Sequence, residues 1–274
     1  MLYRPANSLV HQSKDAMRSL TRINADGFGV GWYSPEVSDE PAVFKDTSPL
    51  WNNYNLGSLA DKILSPAIVA HVRAARRFDP VTRENCHPFQ RGHLLWMHNG
   101  DIPGRAHFTR LVTMEADDAL LAQIRGNTDS EFAFTLFLTH LAAPPRCDLS
   151  AAELAAAMDA TVSQISSWHL DAGDQRPLEL NFCVFSGKTL VVTRFALTEE
   201  DAPSLHWREG EGDSGGRFVC VASEPLSQEN GWRPLENGQM LVVDASLEVV
   251  QQRLSAEDRL RASDLLGPGS DKAR

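Results

Sequence analysis

Between Gly27 and Tyr33 the chain alternates glycine with large side chains: Gly27-Phe28-Gly29-Val30-Gly31-Trp32-Tyr33. Period two marks a β-strand, because successive side chains leave a strand on opposite faces. Glycine at every second position leaves one of those faces bare. Such a strand has to be approached closely by another backbone, a packed helix or a ligand. Asn24-Ala25-Asp26-Gly27 supplies a turn just before it.

The same patterning predicts a strand over Ala67–Val72 and another over His93–His98, the latter ending in the turn-forming pair Asn99-Gly100. A polar, helix-compatible stretch follows from about Arg105 to Arg125. The next helix is sharply marked. Thr128 can cap it and Glu131 can complete a Thr-x-x-Glu capping box. Phe132, Leu136, Phe137 and Leu141 give it an apolar face, and Pro144-Pro145 stops it. A second helix fits Ser150–Trp168, and strands fit Asn181–Phe185, Leu190–Phe195, Phe218–Ala222 and Met240–Val243. Glu209–Gly216 reads as an exposed loop and the tail from Gly267 as polar and frayed. Strands, two helices and strands again suggest two sheets with helices outside, an α+β arrangement in one domain.

A formal net charge of −10 disfavours a general nucleic-acid binder, which needs a basic surface. Arg76 and Arg77 are a local exception and read as a solvated loop. No apolar run reaches membrane-spanning length and no secretory signal is visible, and cysteines without paired spacing, two of them in apolar strand-like runs, favour a reducing cytoplasm. Four cysteines, at 86, 147, 183 and 220, show no paired or metal-type spacing, and His87, His93 and His98 match no zinc pattern. No metal and no cofactor are expected.

Six short segments carry the functional information: Asn24–Tyr33, Ala70-His71-Val72-Arg73-Ala74, Asn85-Cys86-His87-Pro88-Phe89, Met97-His98-Asn99-Gly100, Asn127-Thr128-Asp129-Ser130-Glu131 and Ala222-Ser223-Glu224-Pro225-Leu226. Each is weak alone. In this order the set resembles the class II, N-terminal nucleophile glutamine amidotransferases. Within them it is most similar to the stand-alone branch of ergothioneine-pathway γ-glutamyl hydrolases, Dug-type amidohydrolases and YafJ-like proteins. The resemblance runs from about Tyr3 to Val243 and implies a four-layer αββα sandwich.

It also implies hydrolysis of a γ-glutamyl amide by a cysteine thiolate, with that cysteine's own α-amine as base. Asn99, through its side-chain amide, and Gly100, through its backbone N–H, would form the oxyanion hole. Arg73 would take the substrate carboxylate in a bidentate pair and Asp129 its ammonium group. Taken alone, Arg73 reads as a strand-end surface residue and Asp129 as a helix-start carboxylate aiding the dipole. Their joint occurrence with His98-Asn99-Gly100 favours the functional reading. His87 either shapes the pocket wall by hydrogen bonding or is a satisfied structural histidine, and His98 is expected to be structural. Cys86 with His87 could in principle form a nucleophilic pair, an option ranked below the others because this stretch is a site-lining loop in the family.

In the family a Met-Cys-Arg start opens the first strand, and Leu2–Ser13 here matches a later segment. The chain is therefore expected to begin one strand and one loop late, leaving an exposed sheet position. A late start is ranked ahead of a non-catalytic γ-glutamyl-binding protein, and that ahead of a degraded relic. The expected organisation is an amidotransferase domain over 1–250 and a polar tail over 251–274. The expected ligand is glutamine or a γ-glutamyl small molecule, without nucleic acid or membrane. An ammonia-accepting partner subunit or a homo-oligomer is compatible with this reading.

Overall fold

The computed structural model describes residues 2, 5–16, 23–75, 79–141, 144, 148–200, 202–212 and 215–256. Arg76, Arg77, Cys147 and the tail from Gly267 lie outside these residues. Six helices are described: α1 (Leu9–Lys14), α2 (Tyr54–Ala60), α3 (Arg105–Glu115), α4 (Asp118–Leu121), α5 (Asp129–His140) and α6 (Ala151–Asp171). The strands are β1 (Phe28–Tyr33), β2 (Ala42–Asp46), β3 (Ala67–Val72), β4 (Phe89–Arg91), β5 (Leu94–Asp101), β6 (Glu179–Phe185), β7 (Leu190–Arg194), β8 (His206–Glu211), β9 (Arg217–Ala222), β10 (Arg233–Pro234), β11 (Gln239–Val243) and β12 (Val249–Arg253).

They build an antiparallel six-stranded sheet, β12-β11-β7-β6-β5-β4, and two three-stranded sheets, β2-β1-β3 and β10-β8-β9. Period two explains how the large sheet is buried on both faces. On one face, Leu94, Trp96, Leu180, Phe182, Val184, Met240 and Val242 pack with Phe134, Phe137, Met158 and Ile165 of the helices. The alternate residues turn the other way. Leu95, Met97 and Phe185 meet Tyr33 and Val69 of the first small sheet. Val192, Leu241 and Val243 meet Trp207, Val219 and Val221 of the second. Outside the first small sheet, Phe28 and Val30 pack with Leu9, Val10 and Leu56. The layers are thus helices, large sheet, paired small sheets and helices, which is the αββα sandwich.

The glycines of β1 have the close neighbour their pattern requires. A Cβ on Gly29 would stand 2.0 Å from the His87 carbonyl oxygen, and one on Gly31 would stand 2.6 Å from Leu95 Cδ1. Beside them, the Tyr33 hydroxyl reaches the carbonyls of His93 at 2.7 Å and Phe185 at 2.6 Å, tying the small sheet to the large one.

Several local expectations change. Asn99-Gly100 is no hairpin turn, because β5 continues through it to Asp101, paired with β6 at Asn99↔Asn181 and Gly100↔Leu180. The long polar stretch is broken into α3 and α4. Thr128 caps α5 as expected, accepting from the Glu131 N–H at 3.2 Å. The Glu131 carboxylate does not return to the cap. It accepts instead from the N–H groups of Arg125 at 3.1 Å and Gly126 at 2.7 Å and pairs with Arg91 at 3.0 Å. The complete capping box lies at Ser150 and Glu153, where α6 begins. Helix α5 is buried nearly all round, through Ala133, Phe134, Leu136, Phe137 and Leu138, so its apolar residues mark more than one stripe. Strand β8 runs to Glu211, so the first three residues of the expected loop are sheet. The boundary drawn at 250 falls within β12, whose Arg253 pairs with Gln239.

Candidate functional site

The alternation that builds the sandwich also sorts the side chains at its end. In β3, Val69 and His71 face the large sheet, and Arg73 follows in the same phase just past the strand. In β5, His98 turns to the helix layer. Its Nδ1 is 3.0 Å from Ser130 Oγ, and its Nε2 is 3.0 Å from the Glu179 carbonyl. The carbonyl can only accept, so Nε2 carries a proton and donates it there. That makes His98 a fully engaged strut. Asn99 turns the other way, is exposed, and donates through Nδ2 to Ser223 Oγ at 3.4 Å beyond β9.

Gly100 has φ +151, and a Cβ there would stand 2.2 Å from the Glu179 carbonyl oxygen. The Leu180 N–H donates to Phe195 at 2.7 Å, away from β5, so Leu180 and Gly100 form a non-hydrogen-bonded pair. The Gly100 N–H therefore points away from β6. On that side β4 pairs with β5 only from Leu94 to Trp96. Among the described residues, no strand covers the edge that the Gly100 N–H faces.

Arg73 is 5% exposed. Its backbone is fixed by Arg73 N to the Gly27 carbonyl and Asp26 N to the Arg73 carbonyl, both at 2.9 Å. Among the described residues its guanidinium makes one hydrogen bond, Nη1 to the Pro80 carbonyl at 3.3 Å. Among the described residues no carboxylate pairs with it. A buried cation with one neutral acceptor is costly to hold and matches an incoming anion. Asp129, in the first turn of α5, accepts from Ile102 N at 3.0 Å and from Ser130 N at 2.8 Å. Those bonds fix its carboxylate beside the end of β5 while leaving lone-pair capacity for a cation.

Asn85, which the sequence offered only as part of a motif, joins these parts. Its Nδ2 donates to Pro80 O at 3.1 Å and to Asn127 Oδ1 at 2.9 Å, and its Oδ1 accepts from Asn127 N at 3.1 Å. Ser223 is the other residue that the sequence did not single out. Both stood inside the quoted segments, which was the available signal.

His87 is buried, and neither ring nitrogen has a hydrogen-bond partner among the described residues. Its ring lies 4.3 Å from that of His71 and 4.8 Å from that of Phe89. Burial, then the neighbouring His71, His98, Lys45 and Arg73, hold its pKa well below the usual histidine value. Burial, with His98 and Arg73, likewise lowers His71 to about 4. Both rings are neutral near pH 7. Cys86 is fully buried, with Sγ 3.4 Å from the Thr82 carbonyl and 3.7 Å from that of Asp46. Burial raises its pKa, and His87 makes no hydrogen bond to it, so the two form no nucleophile–base pair. Burial also pushes Cys183 up to about 12 and raises Cys220.

Among the described residues no group of three or more histidine, cysteine or acidic side chains is arranged to hold a metal ion, and no helix is long and apolar enough to cross a membrane. A cavity of about 390 Å³ lies between α3 and α6, on the helix side of the large sheet, and touches this network only at Ile102.

A family model for class II glutamine amidotransferases matches residues 6–264. The probable glutamine amidotransferase DUG3 of Saccharomyces cerevisiae is 36% identical over 275 residues, covering 89% of this chain and 77% of that protein. The γ-glutamyl-hercynylcysteine sulfoxide hydrolase of Mycobacterium tuberculosis is 27% identical over 212 residues, covering 77% of this chain and 71% of that one. The solved structure of a glutamine aminotransferase class-II domain protein from Silicibacter pomeroyi superposes with a TM-score of 0.65 at 26% identity, over 84% of this chain and 92% of that one.

Proposed function

The chain belongs to the class II glutamine amidotransferases, and from that premise we propose that its site binds the γ-glutamyl end of a small molecule for hydrolysis of the γ-amide. The observation that carries this reading is Arg73, a buried guanidinium with no carboxylate partner among the described residues. It takes the α-carboxylate, and Asp129 takes the α-ammonium. The Asn99 amide and the Gly100 N–H, side by side at the end of β5, receive the carbonyl oxygen as it becomes an oxyanion. The relatives named for γ-glutamyl chemistry support the substrate class.

The described cysteines are withdrawn by burial, so the attacking thiol in this reading belongs to a segment outside the described residues, an N-terminal cysteine as in the family. The thiolate would attack the γ-carbonyl carbon, the C–N bond would break with the proton passing to the leaving amine, and water would then cleave the thioester. Strands β3 and β9 each pair on one edge only among the described strands, and one further strand between them would join the two small sheets. The withdrawal of the described thiols also favours a second reading, a γ-glutamyl-binding protein without catalysis. Cytoplasmic location and an ammonia-accepting partner or homo-oligomer belong to the same proposal.

Calorimetric titration with L-glutamate tests the cradle common to both readings. Arg73→Ala and Asp129→Ala should each weaken binding at least about tenfold. Unchanged affinity in both rejects the assignment. Glutamate release from glutamine or γ-glutamyl peptides then separates hydrolase from binder.

A further inference from the structure

We propose that Asn85 is a positioning residue that sets the spacing between Arg73 and Asp129, and so makes the site selective for a ligand carrying a carboxylate and an ammonium group together. This rests on the reading of Arg73 and Asp129 as the two ends of the cradle. Those residues come from different layers, one after β3 and the other at the start of α5. Nothing in the sheet ladders joins them directly.

The join is made by side-chain amide chemistry. The Pro80 carbonyl accepts from Arg73 Nη1 at 3.3 Å and from Asn85 Nδ2 at 3.1 Å, using both of its lone pairs. Asn85 then grips Asn127 twice, once at the backbone N–H and once at the side-chain oxygen. Asn127 stands two residues before Asp129. Asn85 is 1% exposed, and three of the four hydrogen-bonding positions of its amide are in use. The approach is close enough to exclude a side chain at the residue before Asn127: a Cβ on Gly126 would stand 2.3 Å from Asn85 Oδ1 and 3.0 Å from Glu131 Oε2.

Further bonds stop this bridge from swinging as a unit. Asp79, at the start of the loop, pairs with Arg105 at 2.5 Å. The Glu131 carboxylate holds the Arg125 and Gly126 N–H groups from below. Asp129 itself is tied to Ile102, two residues beyond Gly100. The guanidinium, the carboxylate and the end of β5 are thus held in one hydrogen-bonded frame with Asn85 at its centre. A frame fixed before binding lets both ligand charges be met without reorganisation. A loosened frame still meets each charge separately but forfeits the joint fit.

The experiment compares three probes by calorimetric titration: L-glutamate, glutarate, which lacks the ammonium group, and 4-aminobutyrate, which lacks the α-carboxylate. The unaltered chain should bind glutamate at least about tenfold more tightly than either single-ended probe. Asn85→Ala should cut that preference by roughly tenfold while changing glutarate and 4-aminobutyrate by less than about threefold. Gly126→Ala, which presses a methyl against Asn85 Oδ1, should do the same and decides the matter if Asn85→Ala does not fold. An unchanged preference in the folded variants, with Arg73→Ala and Asp129→Ala still weakening glutamate, overturns the role of Asn85 and leaves the cradle standing. An equal loss for all three probes overturns it too, as the mark of a general structural defect. Indifference of glutamate binding to Arg73→Ala and Asp129→Ala removes the cradle and this inference with it.

Discussion

Replacing Gly100 with alanine should destabilise the fold by about 2–5 kcal/mol, before any question of chemistry arises. Two costs add. A φ of +151 is one that L-residues rarely adopt, and holding alanine there costs roughly 1–3 kcal/mol. The new methyl would also lie 2.2 Å from the Glu179 carbonyl oxygen and 2.7 Å from its carbon, both backbone atoms that cannot rotate aside. Strands β5 and β6 would have to part by roughly 1 Å to restore ordinary contact, weakening one or two ladder hydrogen bonds worth about 1 kcal/mol each. Gly173 provides the matched control. Its φ is +63 and nothing lies within 4 Å of a Cβ built there, so Gly173→Ala carries a backbone cost of about 1–2 kcal/mol without a clash. Urea denaturation of the two variants should place Gly100→Ala about 1–2 kcal/mol below Gly173→Ala. In thermal melts Gly100→Ala should fall by roughly 4–20 °C. A difference between the variants of less than about 1 kcal/mol would refute the steric argument, because the clash is the part that the control lacks.

Glu131→Ala removes the partner of Arg91 and the acceptor of two backbone N–H groups, and should cost about 3–5 kcal/mol in chemical denaturation. His71 and His87 are depressed on folding, so below pH 6.5 the unfolded chain binds more protons than the folded one. Their stabilising contribution is therefore complete above that pH and is lost as pH falls. For His71 the loss spans about 6.5 to about 4 and is at most roughly 3 kcal/mol. Denaturation midpoints across that range should show a slope that flattens in His71→Gln, and an unaltered slope would contradict the assignment. Cys86, buried and raised in pKa, should resist iodoacetamide at pH 8 in the native state and react after denaturation, as read by peptide mass spectrometry.

Much of the sandwich was legible because both faces of its large sheet are buried, which makes β5, β6, β7 and β11 read as apolar runs. Strand β12 was not: with the pattern Val249-Val250-Gln251-Gln252-Arg253 at an exposed edge, its pairing is set by β11 and not by its own composition. The Asn99-Gly100 pair misled for a local reason. Its turn chemistry is real, but seven paired positions along β6 outweigh it. The helix start at Thr128 was half legible: the cap is local, whereas Glu131 is drawn away by Arg91, forty residues earlier in the chain. The site was legible as residue types in order. Its frame was not, because Pro80 acts through a carbonyl that carries no sequence signal, and a buried amide such as Asn85 looks like any loop asparagine until its partners are known. Gly100 also teaches caution about motifs, since the Glu179 carbonyl demands glycine there whatever the site does.

The bare face of β1 has a consequence for how such a protein tolerates mutation. Gly29 bears directly on the His87 carbonyl, two residues along the chain from Asn85. A methyl at Gly29 would touch no ligand, yet it would push on the segment that sets the span of the cradle. Sensitivity to mutation in this molecule should therefore follow the line of mechanical support and not distance from the binding groups. A survey ranking positions by nearness to Arg73 or Asp129 would pass over the residue on which their alignment leans.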